Sequence, residues 1–229
     1  MSWVADVSIR LFDPAAHQRF DDLPWATPLE QWVHPRITDL PVGLHRHVIR
    51  FVQFDNQFYA LEELPNRLAE REYRLLRTMN DRGLPVVAAV ALVNERGGPD
   101  PVLITRYLHY ALPFRLLFCE RPDIDVAATL VESIATLLAR LHTAGFYWGV
   151  CSLSNALFRR GEVHLSAYAL GAETGELHDR MTVGQRRSDI DVAIVNVAGG
   201  LADLAAAGEL PDSVDPFEVA PQIGTAYAD

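Results

Sequence analysis

Residues 141–158 read LHTAGFYWGVCSLSNALF, and this stretch decides the fold. The segment that leads into it, Asp123–His142, carries leucine and isoleucine at spacings of three and four residues, which predicts an amphipathic helix. Gly145 is expected to end that helix, because glycine readily adopts the left-handed conformation found after helix ends. A loop follows, and Leu157-Phe158 begins a short strand. A helix, a loop and a hairpin are therefore predicted in succession here.

Strand patterns dominate the residues that precede this stretch. β-Branched and aromatic residues predict a hairpin, and Asp55-Asn56 is its two-residue turn. A helix is predicted from Asn66 to about Asp81. The predicted strands are His45–Phe54, Gln57–Leu64, Val86–Val93 and Val102–Leu108. This order of elements is typical of a small antiparallel sheet with one helix, whereas the residues after Leu108 read as mostly helical, including Asp189–Ala207.

Charge and composition exclude several classes of function. The 229 residues carry a formal net charge of −10 at pH 7, which disfavours a nucleic-acid partner. All twenty basic residues are arginine, so chemistry that requires a lysine ε-amine is excluded. Cys119 and Cys151 are too few for a disulfide framework or a zinc knuckle. Neither a stretch of about 20 apolar residues nor a signal-peptide pattern is visible, so we expect a cytoplasmic protein without a membrane span.

The first forty residues are rich in aromatic residues and prolines. Trp25 and Trp32 lie close to prolines, which indicates an extended segment pinned to a body by its aromatic side chains. Two interpretations stay open. The segment either packs on its own domain or serves as an arm that binds a partner.

The motifs resemble those of the protein-kinase-like superfamily. Leu141–Phe146 resembles the L-H-x-x-G that ends the helix before a kinase catalytic loop, and Gly149–Phe158 resembles the loop H-G-D-x-x-x-x-N-[IV]-L-[FV] of lipopolysaccharide-type kinases. Tyr59–Glu62 resembles the A-x-K strand, and Glu72 falls where the next helix carries its ion-pairing glutamate. More narrowly, four segments resemble those of a bacterial family whose N-terminal half is lipopolysaccharide-kinase-like: Asp22–Trp25, Tyr59–Pro65, Trp148–Asn155 and Gly171–His178.

This resemblance implies an α+β, protein-kinase-like fold of two lobes. A small antiparallel sheet with one helix would form the first lobe, and a reduced, mostly helical region would form the second. We predict an N-terminal extension over residues 1–40, a kinase-like N-lobe over 41–110 and a reduced C-lobe over 111–229.

Three charged positions of a kinase site carry unsuitable residues. Glu62 stands where a lysine would hold the phosphates, Val150 where an aspartate would accept the hydroxyl proton, and Gly171 where an aspartate would hold magnesium. Glu72 and Asn155 match the retained positions. Glu62 would repel phosphates, and Val150 cannot supply the general base, which typically contributes about 10²–10⁴ in rate.

These departures lead to the hypothesis of a catalytically inactive kinase-like domain, a pseudokinase. Such a domain would not be an enzyme, would need neither cofactor nor metal, and would bind a protein partner as a scaffold or regulator. One alternative is an atypical phosphotransferase, in which Arg50 replaces the lysine and Glu173 with Asn155 holds a metal. A two-residue turn would pair Arg50 with Leu61, however, and point it away from Glu62. A second alternative is a purely structural partner whose cleft is closed.

Overall fold

The computed structural model describes residues 8–11, 20–40, 47–96, 98, 100–120, 126–161 and 164–228. They form helices and antiparallel sheets, which confirms the predicted α+β class. The chain divides into two compact units. The sheet unit comprises Met1–Asp81 with Val87–Leu108, and the helical unit comprises Arg82–Val86 with His109–Asp229. The predicted domain boundaries at residues 40 and 110 stay predictions.

The sheet unit contains, within the described residues, a six-stranded antiparallel sheet of order β1-β5-β6-β4-β3-β2. Its strands are β1 (Ser8–Leu11), β2 (Ile37–Thr38), β3 (Ile49–Phe54), β4 (Gln57–Glu63), β5 (Ala89–Asn94) and β6 (Val102–Arg106). Helix α1 (Asn66–Asp81) packs against β5 and β6. It ends before Gly83, whose φ of +68° is a conformation that glycine adopts without strain. The predicted hairpin and helix are therefore present in this unit.

The register of the β3–β4 hairpin is set by its turn. Asp55, in the predicted turn, has φ of +51°, as short polar residues do in tight hairpins. Arg50 pairs with Leu61, and Ile49 pairs with Glu62. Because successive residues of a strand point to opposite faces, Arg50 and Glu62 lie on opposite faces of the sheet.

Aromatic residues from the first forty residues form part of the core of the sheet unit. Trp25 and Trp32 are buried, and their rings meet edge to face with centroids 5.0 Å apart. They belong to one cluster of buried residues with Val52 and Leu61 of the sheet. This part of the chain, as far as it is described, packs on its own unit.

The side chain of Arg96 ties this aromatic segment to the sheet. Its Nη1 donates to the carbonyl oxygen of Thr27 at 2.8 Å, and its Nε donates to that of Asp100 at 2.8 Å. Nη2 forms an ion pair with Glu63 of β4. The Arg96 side chain is 1% exposed, so this ion pair is removed from water.

The helical unit is built around helix α3. Its helices are α2 (Phe114–Glu120), α3 (Val126–Thr143), α4 (Val183–Ala206), α5 (Pro216–Val219) and α6 (Gln222–Ala228). Short strands β7 (Ala111–Leu112), β9 (Ala156–Arg160) and β10 (Leu165–Ala169) form a sheet, and β8 (Phe146–Tyr147) pairs with β11 (Glu176–Leu177). Helix α3 packs against β10 and α6. No helix in the described ranges is long and apolar enough to cross a membrane.

Some predicted boundaries were wrong. Helix α4 begins at Val183 rather than Asp189, because Thr182 and Gln185 form a capping box that closes the first turn. Strand β5 begins at Ala89 rather than Val86. Val86 instead forms a bridge with Ala169 in the helical unit.

Candidate functional site

The loop that follows β8 has a defined backbone path. Gly149 has φ of +76°, a left-handed backbone conformation in which a residue with a side chain would be strained. Ser152 caps the short 3-10 turn Leu153–Asn155, and its hydroxyl oxygen accepts a hydrogen bond from the backbone amide of Asn155 at 3.3 Å. Strand β9 then begins at Ala156. The loop is thus an ordered connection between β8 and β9.

A buried carboxylate on α4 holds the start of this loop. The side chain of Asp189 is fully buried, and its Oδ2 accepts hydrogen bonds from the Trp148 amide at 2.7 Å and from Nε2 of His142 at 3.0 Å. Its Oδ1 accepts from the Gly149 amide at 2.7 Å. We call this arrangement the Asp189 clamp. It compensates a buried charge with several donors and fixes the loop on α4.

The next loop residue is anchored to α4 as well. Cys151 is fully buried, and its carbonyl oxygen accepts a hydrogen bond from the Asn196 side chain at 3.0 Å. Burial, and then the nearby charge of Asp189, raises the pKa of the Cys151 thiol well above its ordinary value. The thiol therefore stays protonated, which is typical of an unreactive structural cysteine.

The structure brings Val150, Asn155 and Gly171 together. Nδ2 of Asn155 donates to the Val150 carbonyl oxygen at 3.1 Å. The Leu170 amide donates to the Asn155 carbonyl oxygen at 2.8 Å, and Nε1 of Trp148 donates to the Gly171 carbonyl oxygen at 2.7 Å. We call residues 148–155 and 170–174 the loop cluster.

Glu62 and Glu72 belong to the sheet unit. Glu62 is a half-buried residue of β4, and Glu72 is 4% exposed on α1. Arg50 is committed elsewhere, because its Nε donates to the carbonyl oxygen of Leu29 at 3.2 Å and its Nη2 to that of Glu30 at 2.9 Å. Together with the hairpin register, these bonds remove the support for Arg50 as a replacement for the missing lysine.

The sequence analysis missed Asp189 as a site residue. A signal was present in the sequence, because Asp189 falls at a four-residue spacing with apolar residues: Ala193, Val197 and Leu201. The structure buries all four side chains. A single acidic residue on an apolar helix face needs hydrogen-bond donors. The sequence does not reveal that those donors are the amides of Trp148 and Gly149, some forty residues earlier.

The loop cluster offers oxygen atoms for a divalent cation. The bond from Asn155 Nδ2 to Val150 leaves the amide oxygen of Asn155 available as an acceptor, and Glu173 adds a half-buried carboxylate. No group of three or more histidine, cysteine or acidic residues is placed to hold a metal in the described part of the chain. Mg²⁺ typically uses one or two protein carboxylates and takes its other ligands from phosphates and water. Asn155 and Glu173 carry the types of oxygen ligand that such a site uses.

Comparison with known proteins gives one family and one fold. Residues 46–186 match the model of the "Lipopolysaccharide kinase (Kdo/WaaP) family". Among curated proteins, no significant match was found. A solved structure described as "WaaP in complex with acyl carrier protein" is 17% identical with a TM-score of 0.55, over 96% of this chain and 99% of that chain. The predicted two-lobed, protein-kinase-like fold is thereby confirmed.

The prediction that the chain is not an enzyme is wrong. The family match and the WaaP-like fold point to a kinase enzyme. The prediction rested mainly on the residue types at three positions, Glu62, Val150 and Gly171. Catalysis of phosphoryl transfer depends mainly on positioning and on electrostatic stabilisation, and the three residue types do not exclude other groups in these roles.

Proposed function

The chain belongs to the lipopolysaccharide kinase (Kdo/WaaP) family, and from this membership we propose that it is a phosphotransferase acting on a saccharide hydroxyl group. The observation that carries the proposal is the extent of the family match. Residues 46–186 include the β3–β4 hairpin, Glu72 on α1 and the loop cluster. This is the alternative that the sequence analysis left beside the pseudokinase.

In the proposed reaction, the acceptor oxygen forms a bond to the γ-phosphorus of ATP. The bond between that phosphorus and the β,γ-bridging oxygen breaks, and ADP leaves. The acceptor proton passes to water, because Val150 cannot accept it. The lack of a positioned base slows the step, typically by about 10²–10⁴, but does not prevent it.

Asn155 and Glu173 are the proposed ligands of a divalent cation. The hydrogen bond between Asn155 and the Val150 carbonyl oxygen fixes which atom of the amide is available. When bound, the cation would neutralise charge on the phosphate oxygens of ATP. Because the sequence has no lysine, a permanently cationic side chain on the phosphates has to be an arginine.

We also propose a protein partner and a cytoplasmic location. The similar solved structure is described as a complex with acyl carrier protein, which supports a protein partner for this chain. Size-exclusion chromatography of the purified chain, mixed with apo or holo acyl carrier protein, tests this partner. Elution of both components at their separate volumes would exclude it.

Formation of ADP tests the proposed activity. The purified chain is incubated with γ-labelled ATP, Mg²⁺ or Mn²⁺, and a lipopolysaccharide core saccharide, and both ADP and the labelled saccharide are measured. We expect acceptor-dependent transfer that falls in Glu173→Gln. Glu209→Gln is the matched control, since Glu209 forms an ion pair with Arg115 outside the loop cluster. Transfer no higher than that of heat-denatured chain with either cation would overturn the proposal.

A further inference from the structure

A tyrosine on the last described helix contacts the Asp189 clamp. The hydroxyl oxygen of Tyr227 on α6 lies 2.8 Å from Nδ1 of His142. Nε2 of the same ring lies 3.0 Å from Oδ2 of Asp189. His142 therefore bridges Tyr227 and the carboxylate that holds the loop cluster.

The chemical groups of Tyr227, His142 and Asp189 determine which of them donates each hydrogen bond. The Asp189 carboxylate only accepts, and the amides of Trp148 and Gly149 already donate to it. Nε2 of His142 must then carry the hydrogen that points to Oδ2. In the neutral ring Nδ1 is left as an acceptor, so the Tyr227 hydroxyl donates to it.

Tyr227 stabilises the tautomer that the clamp requires. The His142 residue is 1% exposed, so water cannot replace a lost donor to Nδ1 without rearrangement. The opposite tautomer would turn the lone pair of Nε2 toward the carboxylate of Asp189 and remove one donor from the clamp. With the first tautomer the Tyr227 hydroxyl donates to Nδ1 while Nε2–H stays bonded to Asp189, so both ring nitrogens have a partner. With the second the hydroxyl would accept from Nδ1–H, but Nε2 would face the carboxylate without a hydrogen.

Packing of α6 holds the hydroxyl in place. Ile223 is fully buried, and α6 contacts both α3 and α4. A Cβ atom added at Gly224 of α6 would lie 3.7 Å from Cδ1 of Ile194 on α4, so α6 and α4 are in van der Waals contact at this point. The ring of Tyr227 meets that of His142 at a centroid distance of 5.3 Å.

We infer that Tyr227 is a positioning residue, which fixes His142 as the Nε2–H tautomer and thereby keeps Asp189 bonded to the amides of Trp148 and Gly149. Through these amides it sets the backbone position of the loop cluster. Its effect on catalysis rests on the proposed phosphotransferase function, whereas its effect on His142 does not.

The first test is spectroscopic and independent of activity. Nitrogen NMR of the ¹⁵N-histidine-labelled chain is expected to show His142 as one neutral tautomer protonated at Nε2. In Tyr227→Phe we expect a mixture of tautomers and amide hydrogen exchange at Trp148 and Gly149 that is about tenfold faster. Tyr168→Phe is the matched control, because the Tyr168 hydroxyl bonds Arg159 in the same unit, outside the clamp. Its His142 spectrum should equal that of the wild type.

The second test is kinetic. Tyr227→Phe should lower kcat about tenfold, equivalent to about 1.4 kcal/mol, with KM for ATP changed less than about twofold. A merely structural loss would reduce the amount of active protein and would leave the His142 tautomer of the folded fraction unchanged.

Each outcome decides the inference. A wild-type spectrum that shows His142 as the Nδ1–H tautomer or as imidazolium would overturn it, even if Tyr227→Phe does not fold. An unchanged tautomer and unchanged amide exchange in a folded Tyr227→Phe would also overturn it. If the wild type proves inactive, the proposed function fails and the spectra alone decide the role of Tyr227.

Discussion

The side-chain nitrogen of Asn155 lies 3.1 Å from the carbonyl oxygen of Val150. Asn155 is therefore held by the backbone of Val150, which stands where the kinase resemblance implies a base. Since the backbone makes this contact, the side chain at position 150 can change while Asn155 keeps its place. A change of the side chain at the position expected for a base therefore need not displace Asn155, the proposed cation ligand.

Val150→Asp tests whether the reaction lacks only a proton acceptor at this position. The substitution is expected to raise kcat for acceptor phosphorylation by about 10² or more, because a positioned base typically contributes about 10²–10⁴. Val150 is half-buried, so a carboxylate there keeps contact with solvent. The measurement is the initial rate of ADP formation with saturating acceptor.

Val150→Asn is the control for this substitution, because asparagine is polar and similar in size to aspartate but cannot act as the base. An equal gain in both variants would assign the change to polarity or to loop motion. The absence of a gain in Val150→Asp would show that the acceptor hydroxyl is not delivered near this residue.

Asn155→Ala is expected to weaken the use of the divalent cation. Loss of the amide oxygen removes one proposed ligand, so the Mg²⁺ or Mn²⁺ concentration for half-maximal rate should rise about tenfold, which corresponds to about 1.4 kcal/mol. The rise in Tm caused by ATP with the cation should shrink accordingly, since ligand binding stabilises the folded state by mass action.

Asn196→Ala provides the matched control. Asn196 also donates from a side-chain amide to a loop carbonyl, that of Cys151 at 3.0 Å, but it is not a proposed ligand. Its removal should lower Tm without changing the dependence of rate on cation concentration. Identical cation dependence in both variants would contradict the role assigned to Asn155.

Local patterns in the sequence predicted much of the fold. The Asp55-Asn56 turn fixed the pairing of Arg50 with Leu61, and helix α1 has the predicted bounds of Asn66 and Asp81. Both depend on residues that are close in the chain. Hydrogen bonds also join the segments of Val150, Asn155 and Gly171. The kinase-like motifs assigned these three residues to one site together with Glu62 and Glu72, and that assignment stays a prediction.

Long-range contacts could not be predicted in the same way. The clamp joins Asp189 to His142 and Trp148 across more than forty residues, and neither charge nor spacing specifies that pairing. Arg96 is a second example. A single arginine in a turn reads as solvated, yet its side chain is buried against Thr27 and Glu63.

Arg96→Met is expected to destabilise the sheet unit strongly. Burial lowers the pKa of Arg96, so the ion pair with Glu63 already carries a desolvation cost. Removal of one partner leaves the other charge buried without compensation, which typically costs about 3–5 kcal/mol. The free energy of unfolding in urea measures the loss.

Two further variants define the origin of this loss. Glu63→Gln added to Arg96→Met should recover part of the stability, because the uncompensated charge is removed. Arg10→Met is the control for an exposed pair, as the side chains of Arg10 and Glu70 are 45% and 35% exposed and such pairs contribute about 0–1 kcal/mol. A loss below about 1 kcal/mol in Arg96→Met would show that water compensates Glu63.

Ionisation of Cys151 is expected to limit stability at alkaline pH. Its pKa is raised in the folded chain by burial and by Asp189, whereas the thiol of an unfolded chain has a pKa of about 8.5. Above that pH the unfolded state loses the proton first, so the free energy of unfolding falls by up to about 1.4 kcal/mol per pH unit until the folded pKa is reached.

Unfolding of Cys119→Ser and of Cys119→Ser/Cys151→Ala, measured in urea from pH 7 to 10, isolates this single titration. The two curves should run parallel below about pH 8 and converge above it, since only the first protein retains the buried thiol. Curves that stay parallel to pH 10 would mean that Cys151 titrates alike in both states and is accessible to water.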